Sequence, residues 1–182
     1  MIRISADDGC HSDLKLADMC ERYNVPLIFY WPVEWHALAF EKAYLPLSFY
    51  DADELVEEFK LGSHTITHRH LTKLSQSDAE YEIYASKVML EGMFNTKINN
   101  FAPPRGYTNK DLTSYTMEVY GNQRLTKGEH LVHVHPDSGV NGNVHWLEAI
   151  NPQTKELWLH TWELDKYPEE WNNLEKYLEK NT

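Results

Sequence analysis

Two adjacent carboxylates, Asp7 and Asp8, stand just before Gly9 near the start of the chain. Two histidines, His64 and His68, stand four positions apart further on, and His160 lies near the other end. Imidazole and carboxylate groups suit a borderline divalent ion, which they bind at about 2.0–2.2 Å, and a catalytic site of this type keeps one position open for water. One aspartate with both paired histidines makes a set of two nitrogens and one oxygen. The other aspartate is then free to act as a base. No single part is specific. His-x-x-x-His recurs where no metal binds. Asp-Asp-Gly is commonly a turn with a helix-capping acid. A lone His160 reads as a hydrogen-bonded core or rim residue. The information lies in their combination and in their order along the chain.

These groups must be brought together by elements that run between them. Residues 3–6 read as a short strand that ends at Asp7-Asp8-Gly9, where Gly9 permits a sharp turn. Strand residues alternate between faces, so a relaxed strand end at Gly9 is needed to turn both carboxylates toward one centre. Ser12 or Asp13 can start a helix, with Leu16, Met19 or Cys20, and Tyr23 at helical spacing and Asn24 as its stop. Residues 25–31 form an apolar run broken by Pro26, as expected of a strand buried on both faces. A loop rich in aromatics follows, with Trp31, Pro32, Trp35 and His36. Asp51 caps a second helix through Leu55, Val56 and Phe59, and Gly62 closes it and introduces the segment that carries His64 and His68. Ser75 or Ser77 starts a longer helix that ends near Gly92 or Asn95. Residues 101–107 are a turn-forming segment after a short extended piece, and a helix fits 110–120 with Gly121 as its stop. Residues 131–135 alternate as a strand, 139–143 form a polar loop, 157–162 are the last strand and 167–180 the last helix.

Strand and helix patterns thus alternate along nearly the whole chain, which predicts parallel βαβ units in an α/β protein. In such folds the residues just past the strand ends share one face, so Asp7, Asp8, His64, His68 and His160 can meet. The pattern alone leaves an open sheet and a barrel as alternatives. With 182 residues and no linker or internal repeat, one domain over 1–182 is expected. The net charge of −11 argues against a protein that tracks nucleic-acid phosphates, which needs clustered cations. No apolar run approaches the roughly 18 residues of a membrane span. The first residues lack the basic head and apolar stretch of an export signal, so a soluble, cytoplasmic protein is expected. The 2 cysteines, Cys10 and Cys20, match no disulfide framework or zinc ribbon and read as reduced, partly buried thiols.

In the order of its motifs the chain resembles the polysaccharide deacetylases, carbohydrate esterase family 4, with the NodB homology domain. Ser5-Ala6-Asp7-Asp8-Gly9 resembles the family's Thr-Phe-Asp-Asp-Gly. His64-Thr65-Ile66-Thr67-His68 matches the second motif closely. Phe101-Ala102-Pro103-Pro104-Arg105-Gly106-Tyr107 resembles the third, and Leu159-His160-Thr161-Trp162-Glu163 resembles the last. The resemblance implies an irregular (β/α) barrel of about seven strands, NodB-like and TIM-barrel-like. It implies Asp7 as general base, Asp8, His64 and His68 as metal ligands, and His160 as general acid. The cofactor is then one divalent ion, with zinc as the default and cobalt or nickel as alternatives. Arg105, Tyr107, Trp158 and Trp162 are the candidate substrate-binding residues.

The chain departs from the family in particular places. The third motif usually carries an arginine just before the prolines, paired with the base, and Ala102 stands there. Arg105, three residues on, either reaches that carboxylate from a new direction or binds substrate. An aspartate that orients the acid histidine is not evident, and Asp137 is a candidate by position alone. Trp158 replaces a leucine that lines the acetyl pocket. His133 and His135 share one strand face and either line the pocket or are surface or packed histidines, the second being the favoured reading. His11 and His70 read as loop histidines, and Cys10, beside the motif, plays no part in the family. The implied function is removal of the acetyl group from an N-acetylated sugar or polysaccharide precursor. Two rivals stand beside it: hydrolysis of another amide or an O-acetyl ester on the same fold, and a non-catalytic sugar-binding descendant.

Overall fold

The computed structural model describes residues 2–126, 130–135 and 145–182. The strands are β1 (Arg3–Asp7), β2 (Leu27–Trp31), β3 (Lys60–Ser63), β4 (Asn100–Phe101), β5 (Asn122–Gln123), β6 (Leu131–Val134) and β7 (Glu156–Leu159). The helices are α1 (Asp13–Arg22), α2 (Trp35–Lys42), α3 (Phe49–Glu58), α4 (Gln76–Phe94), α5 (Lys110–Tyr120), α6 (Trp146–Ala149), α7 (Thr161–Leu164) and α8 (Pro168–Asn181). The strands form one curled sheet in the order β5-β4-β3-β2-β1-β7-β6. Every pairing between neighbours is parallel. This is the (β/α) barrel architecture, opened between its edge strands β5 and β6 among the described residues.

Alternation along each strand divides the residues between two environments. Ile4 and Ala6 of β1, Phe29 and Trp31 of β2 and Leu157 and Leu159 of β7 join the main apolar core under the helices. Their neighbours face the inside of the curled sheet. Ser5 donates to Glu156 there at 2.6 Å, and Ile28, Tyr30 and Ala102 form a separate small cluster. The register aligns the strand ends. Ala6 pairs with Phe29 and Leu159, Trp31 with Ser63, Ser63 with Phe101, and Phe101 with Gln123. The residues immediately beyond these ends, Asp8, His64, Ala102, Arg124 and His160, therefore collect along one rim.

Several boundaries differ from the sequence expectation. The aromatic segment after β2 is mostly helical, because Trp35, Leu38 and Ala39 fall at helical spacing and are buried together in α2. Trp35 is fully buried and its indole N–H donates to the Leu47 carbonyl at 2.8 Å. Ser48, not Asp51, caps α3 by accepting from the Asp51 N–H. The last strand stops at Leu159, and His160 begins the short α7 instead of lying within the strand. Two expectations match closely: α4 runs between Ser75, which accepts from Asp78 N–H, and a left-handed Asn95, and α5 covers 110–120 with Gly121 at φ +81°. The expected loop at 139–143 and Asp137 lie outside the described residues.

Candidate active site

The first turn sets the aspartates. Asp7 ends β1 and faces inward, as its place in the alternation requires. Asp8 would face the helices, but its φ of +82° swings the chain out of strand conformation, and Gly9 continues the turn at φ +74°. Aspartate is among the few residues that tolerate this region. The expected turn at Gly9 thus begins one residue earlier, at Asp8 itself. Both carboxylates end up nearly fully buried on one side.

The second segment is clamped by a residue that the sequence reading passed over. Glu82 of α4 is buried, and its carboxylate accepts from Ile66 N–H at 2.9 Å, Thr67 N–H at 3.0 Å and the Thr67 hydroxyl at 2.5 Å. Thr65 Oγ1 accepts from His68 N–H at 3.0 Å. His64 and His68 are therefore presented by a tight turn and not by a helix face. His64 Nδ1 lies 2.6 Å from the Ala102 carbonyl, which must accept its proton. That assigns the lone pair to Nε2.

Asp8, His64 and His68 converge. Asp8 Oδ1 is 3.3 Å from His68 Nε2 and 3.8 Å from His64 Nε2. It is buried and makes no hydrogen bond. Asp8 Oδ2, by contrast, accepts from Lys42 Nζ at 2.6 Å and from Trp162 Nε1 at 3.1 Å. Burial alone would raise the Asp8 acid, but His160, Lys42, His68 and His64 together hold it far below the ordinary carboxylate range. Burial lowers both imidazoles to about 3, and their mutual proximity adds to this at His68. The set is thus an ionised oxygen left bare and two neutral nitrogens. For bonds of ~2.1 Å in a tetrahedron, ligand atoms stand about 3.4 Å apart. The observed separations fit a divalent ion such as zinc, held by Asp8 Oδ1, His64 Nε2 and His68 Nε2. Cys10 stays out of it: burial pushes its thiol up to about 11.

Asp7 is held differently. Its Oδ2 accepts from Arg124 Nη2 at 2.5 Å, with Arg124 only 5% exposed, while its Oδ1 is buried without a partner. Arg124 lies between the rings of Tyr30 and Trp158, at 4.9 and 5.1 Å from their centroids. The guanidinium beside Asp7 therefore comes from the end of β5, not from Arg105. Arg105 is exposed at φ +58° on the rim.

A cavity of about 280 Å³ opens beside Asp7 and is lined by Asp7, Arg105, Thr126, His133, Trp158 and His160. His133, for which the packed or surface reading was favoured, lies in its wall and stacks on Trp158 at 3.6 Å between centroids. His160 Nε2 is 3.7 Å from Asp8 Oδ2, and its Nδ1 is 3.3 Å from Glu163 Oε2. Burial would lower the His160 imidazole, but Asp8 and Glu163 raise it above its ordinary value. Glu163, the last residue of the fourth quoted motif, is the acidic neighbour of His160 that sequence reading did not single out. Tyr107 is half exposed and stacks on His70 at 4.1 Å, outside this cavity. Trp162 also stands outside it, stacked on Tyr44 at 5.8 Å with Lys42 and Lys166 over its ring.

Residues 1–121 match the family model described as polysaccharide deacetylase. The chain belongs to the polysaccharide deacetylase family. Solved structures agree on the fold. A mutant of BA3943, described as a CE4 family pseudoenzyme, superposes with a TM-score of 0.72 at 17% identity, over 100% of this chain and 63% of that one. The Bc1960 peptidoglycan N-acetylglucosamine deacetylase gives 0.70 at 16% identity, over 99% and 82%. The family 4 carbohydrate esterase from Streptomyces lividans, in complex with acetate, gives 0.66 at 18% identity, over 89% and 79%. No curated protein matches the sequence. This chain spans less than two thirds of the length of the pseudoenzyme. Among its described residues no helix is long and apolar enough to cross a membrane.

Proposed function

We propose that the protein is a zinc-dependent hydrolase that removes the acetyl group from an N-acetylated sugar. The observation that carries this reading is the division of labour between adjacent aspartates. Asp8 presents one bare oxygen to two neutral imidazoles, whereas Asp7, which lines the cavity, is tied to Arg124 through Oδ2 and has no hydrogen bond at Oδ1. A divalent ion at Asp8, His64 and His68 would supply a Lewis acid that polarises the acetyl carbonyl and makes water more acidic. Asp7 Oδ1 would then accept the proton of the attacking water, with Arg124 fixing the direction of the carboxylate through its hydrogen bond to Oδ2. His160, raised by Asp8 and Glu163, retains its proton and delivers it to the departing nitrogen. An amine leaves poorly unless protonated, so this placed acid favours an amide over an O-acetyl ester. The cavity of about 280 Å³ suits an acetamido group with one adjoining ring better than a long polymer segment.

The intact set Asp7, Asp8, His64, His68 and His160 supports this reading over a non-catalytic sugar-binding protein. The test is release of acetate from N-acetylglucosamine oligomers by zinc-loaded protein, with acetylated xylan as the ester comparison. Turnover of the amide is expected. Asp7→Asn should keep its zinc while losing about 10²–10⁴-fold in rate, and His64→Ala should lose both. Glycan binding without acetate release from any substrate would replace the hydrolase reading with the binding one.

A further inference from the structure

Beyond the zinc ligands, a second group of metal-binding atoms converges on the other side of His160. Glu163 Oε2 lies 3.3 Å from His160 Nδ1 and 3.6 Å from His133 Nε2. All three of these atoms are buried and none makes a hydrogen bond. Together they fall within 4.8 Å of one another, the same compactness as the Asp8, His64 and His68 set. A buried polar atom without a hydrogen bond is unfavourable, and one bound ion would answer all three. The separations again bracket the roughly 3.4 Å expected between ligands of a tetrahedral ion with bonds of ~2.1 Å. The positions are firmly held. His133 lies flat on Trp158 with an interplanar angle of 3°, and His160 begins the helix that carries Glu163 one turn later. Their side chains remain 17–28% exposed, so an ion can enter from the cavity.

We propose that His133 Nε2, His160 Nδ1 and Glu163 Oε2 form a second, inhibitory zinc site. The inference rests on the assignment of His160 as the acid. Without the second ion, His160 Nδ1 faces Glu163 Oε2 at 3.3 Å and no metal occupies the imidazole. With it, Nδ1 and Glu163 Oε2 are both committed to the metal, and the imidazole no longer supplies the proton that the leaving nitrogen needs. Zinc in excess of one equivalent should therefore suppress deacetylation, whereas the first equivalent is required for it.

The test is a titration of metal-free protein with zinc ion alone, counted by equilibrium dialysis, with folding followed by circular dichroism. Wild type should bind two ions per chain, the second more weakly. Glu163→Gln and His133→Ala should each weaken the second ion by at least about tenfold and leave the first in place. His64→Ala should lose the first ion and keep the second. Because a large change at His133 could disturb the Trp158 stack, His133→Gln serves as its milder companion. One ion in wild type, lost in His64→Ala, would overturn the second site while leaving the deacetylase reading intact. One ion lost in Glu163→Gln but retained in His64→Ala would instead overturn the primary site. Two ions in Glu163→Gln with unchanged affinities would also refute the proposal.

Discussion

Replacing Arg124 with methionine tests whether Asp7 is held by a buried ion pair. Asp7 and Arg124 are 2% and 5% exposed, and their closest atoms are 2.5 Å apart. Methionine keeps an unbranched apolar chain between Tyr30 and Trp158, so the packing beside the guanidinium is largely preserved. What is lost is the charge opposite Asp7, whose other oxygen has no partner to compensate. Removing one member of such a buried pair costs about 3–5 kcal/mol. With a urea slope of about 2 kcal/mol/M, the unfolding midpoint should fall by about 2 M. Asp7→Asn alone should also destabilise, because it strands the guanidinium. The double variant Asp7→Asn/Arg124→Met should be more stable than the sum of the two losses by at least about 1 kcal/mol, since no lone charge remains inside. The measurement is urea unfolding of all four proteins at one fixed zinc concentration, because bound metal shifts apparent stability. Strict additivity of the single effects, or a loss below 1 kcal/mol in Arg124→Met, would refute the idea that this pair is electrostatically coupled.

Other expectations follow from residues further from the candidate metal site. Burial raises the Asp13 carboxyl to about 8, even though Thr161 and Trp31 donate to it at 2.7 and 3.0 Å. Its folded value lies above the ordinary value near 3.9, so its stabilising share is complete below about pH 4 and is lost as pH rises toward about 8. Asp13→Asn should therefore flatten the melting temperature between pH 5 and 8 and leave the variant the more stable protein at the upper end. Equal loss at both pH values would count against this. A Cβ on Gly62 would meet the Tyr30 ring at 2.5 Å. Gly62→Ala should thus cost about 1–3 kcal/mol and reduce turnover by moving the ring that packs on Arg124. Gly92→Ala, where nothing lies within 4 Å, should be neutral or stabilising by up to about 1 kcal/mol in the same melts.

The sequence by itself determined the alternation of strands and helices, and with it the parallel sheet. It also carried the candidate site residues, because Asp7, Asp8, His64, His68 and His160 stand in motifs whose types and order are local properties of the chain. The ends of α4 and the stop of α5 were legible for the same reason, since Ser75, Asn95 and Gly121 act on neighbours a few residues away. The supporting residues were not legible. Arg124 reaches Asp7 across 117 positions, and Lys42 reaches Asp8 across 34. Lys42 is delivered by a helix that the aromatic segment concealed. Glu82 clamps the histidine turn from α4, and Glu163 faces His133 across the barrel rim. Such partners are chosen by strand register and by which charged side chain ends beside another once water is excluded. A local pattern has no access to either quantity. A buried charge must be answered from wherever the folded chain brings an opposite one, and only the curled sheet decides that Arg124, and not Arg105, stands next to Asp7.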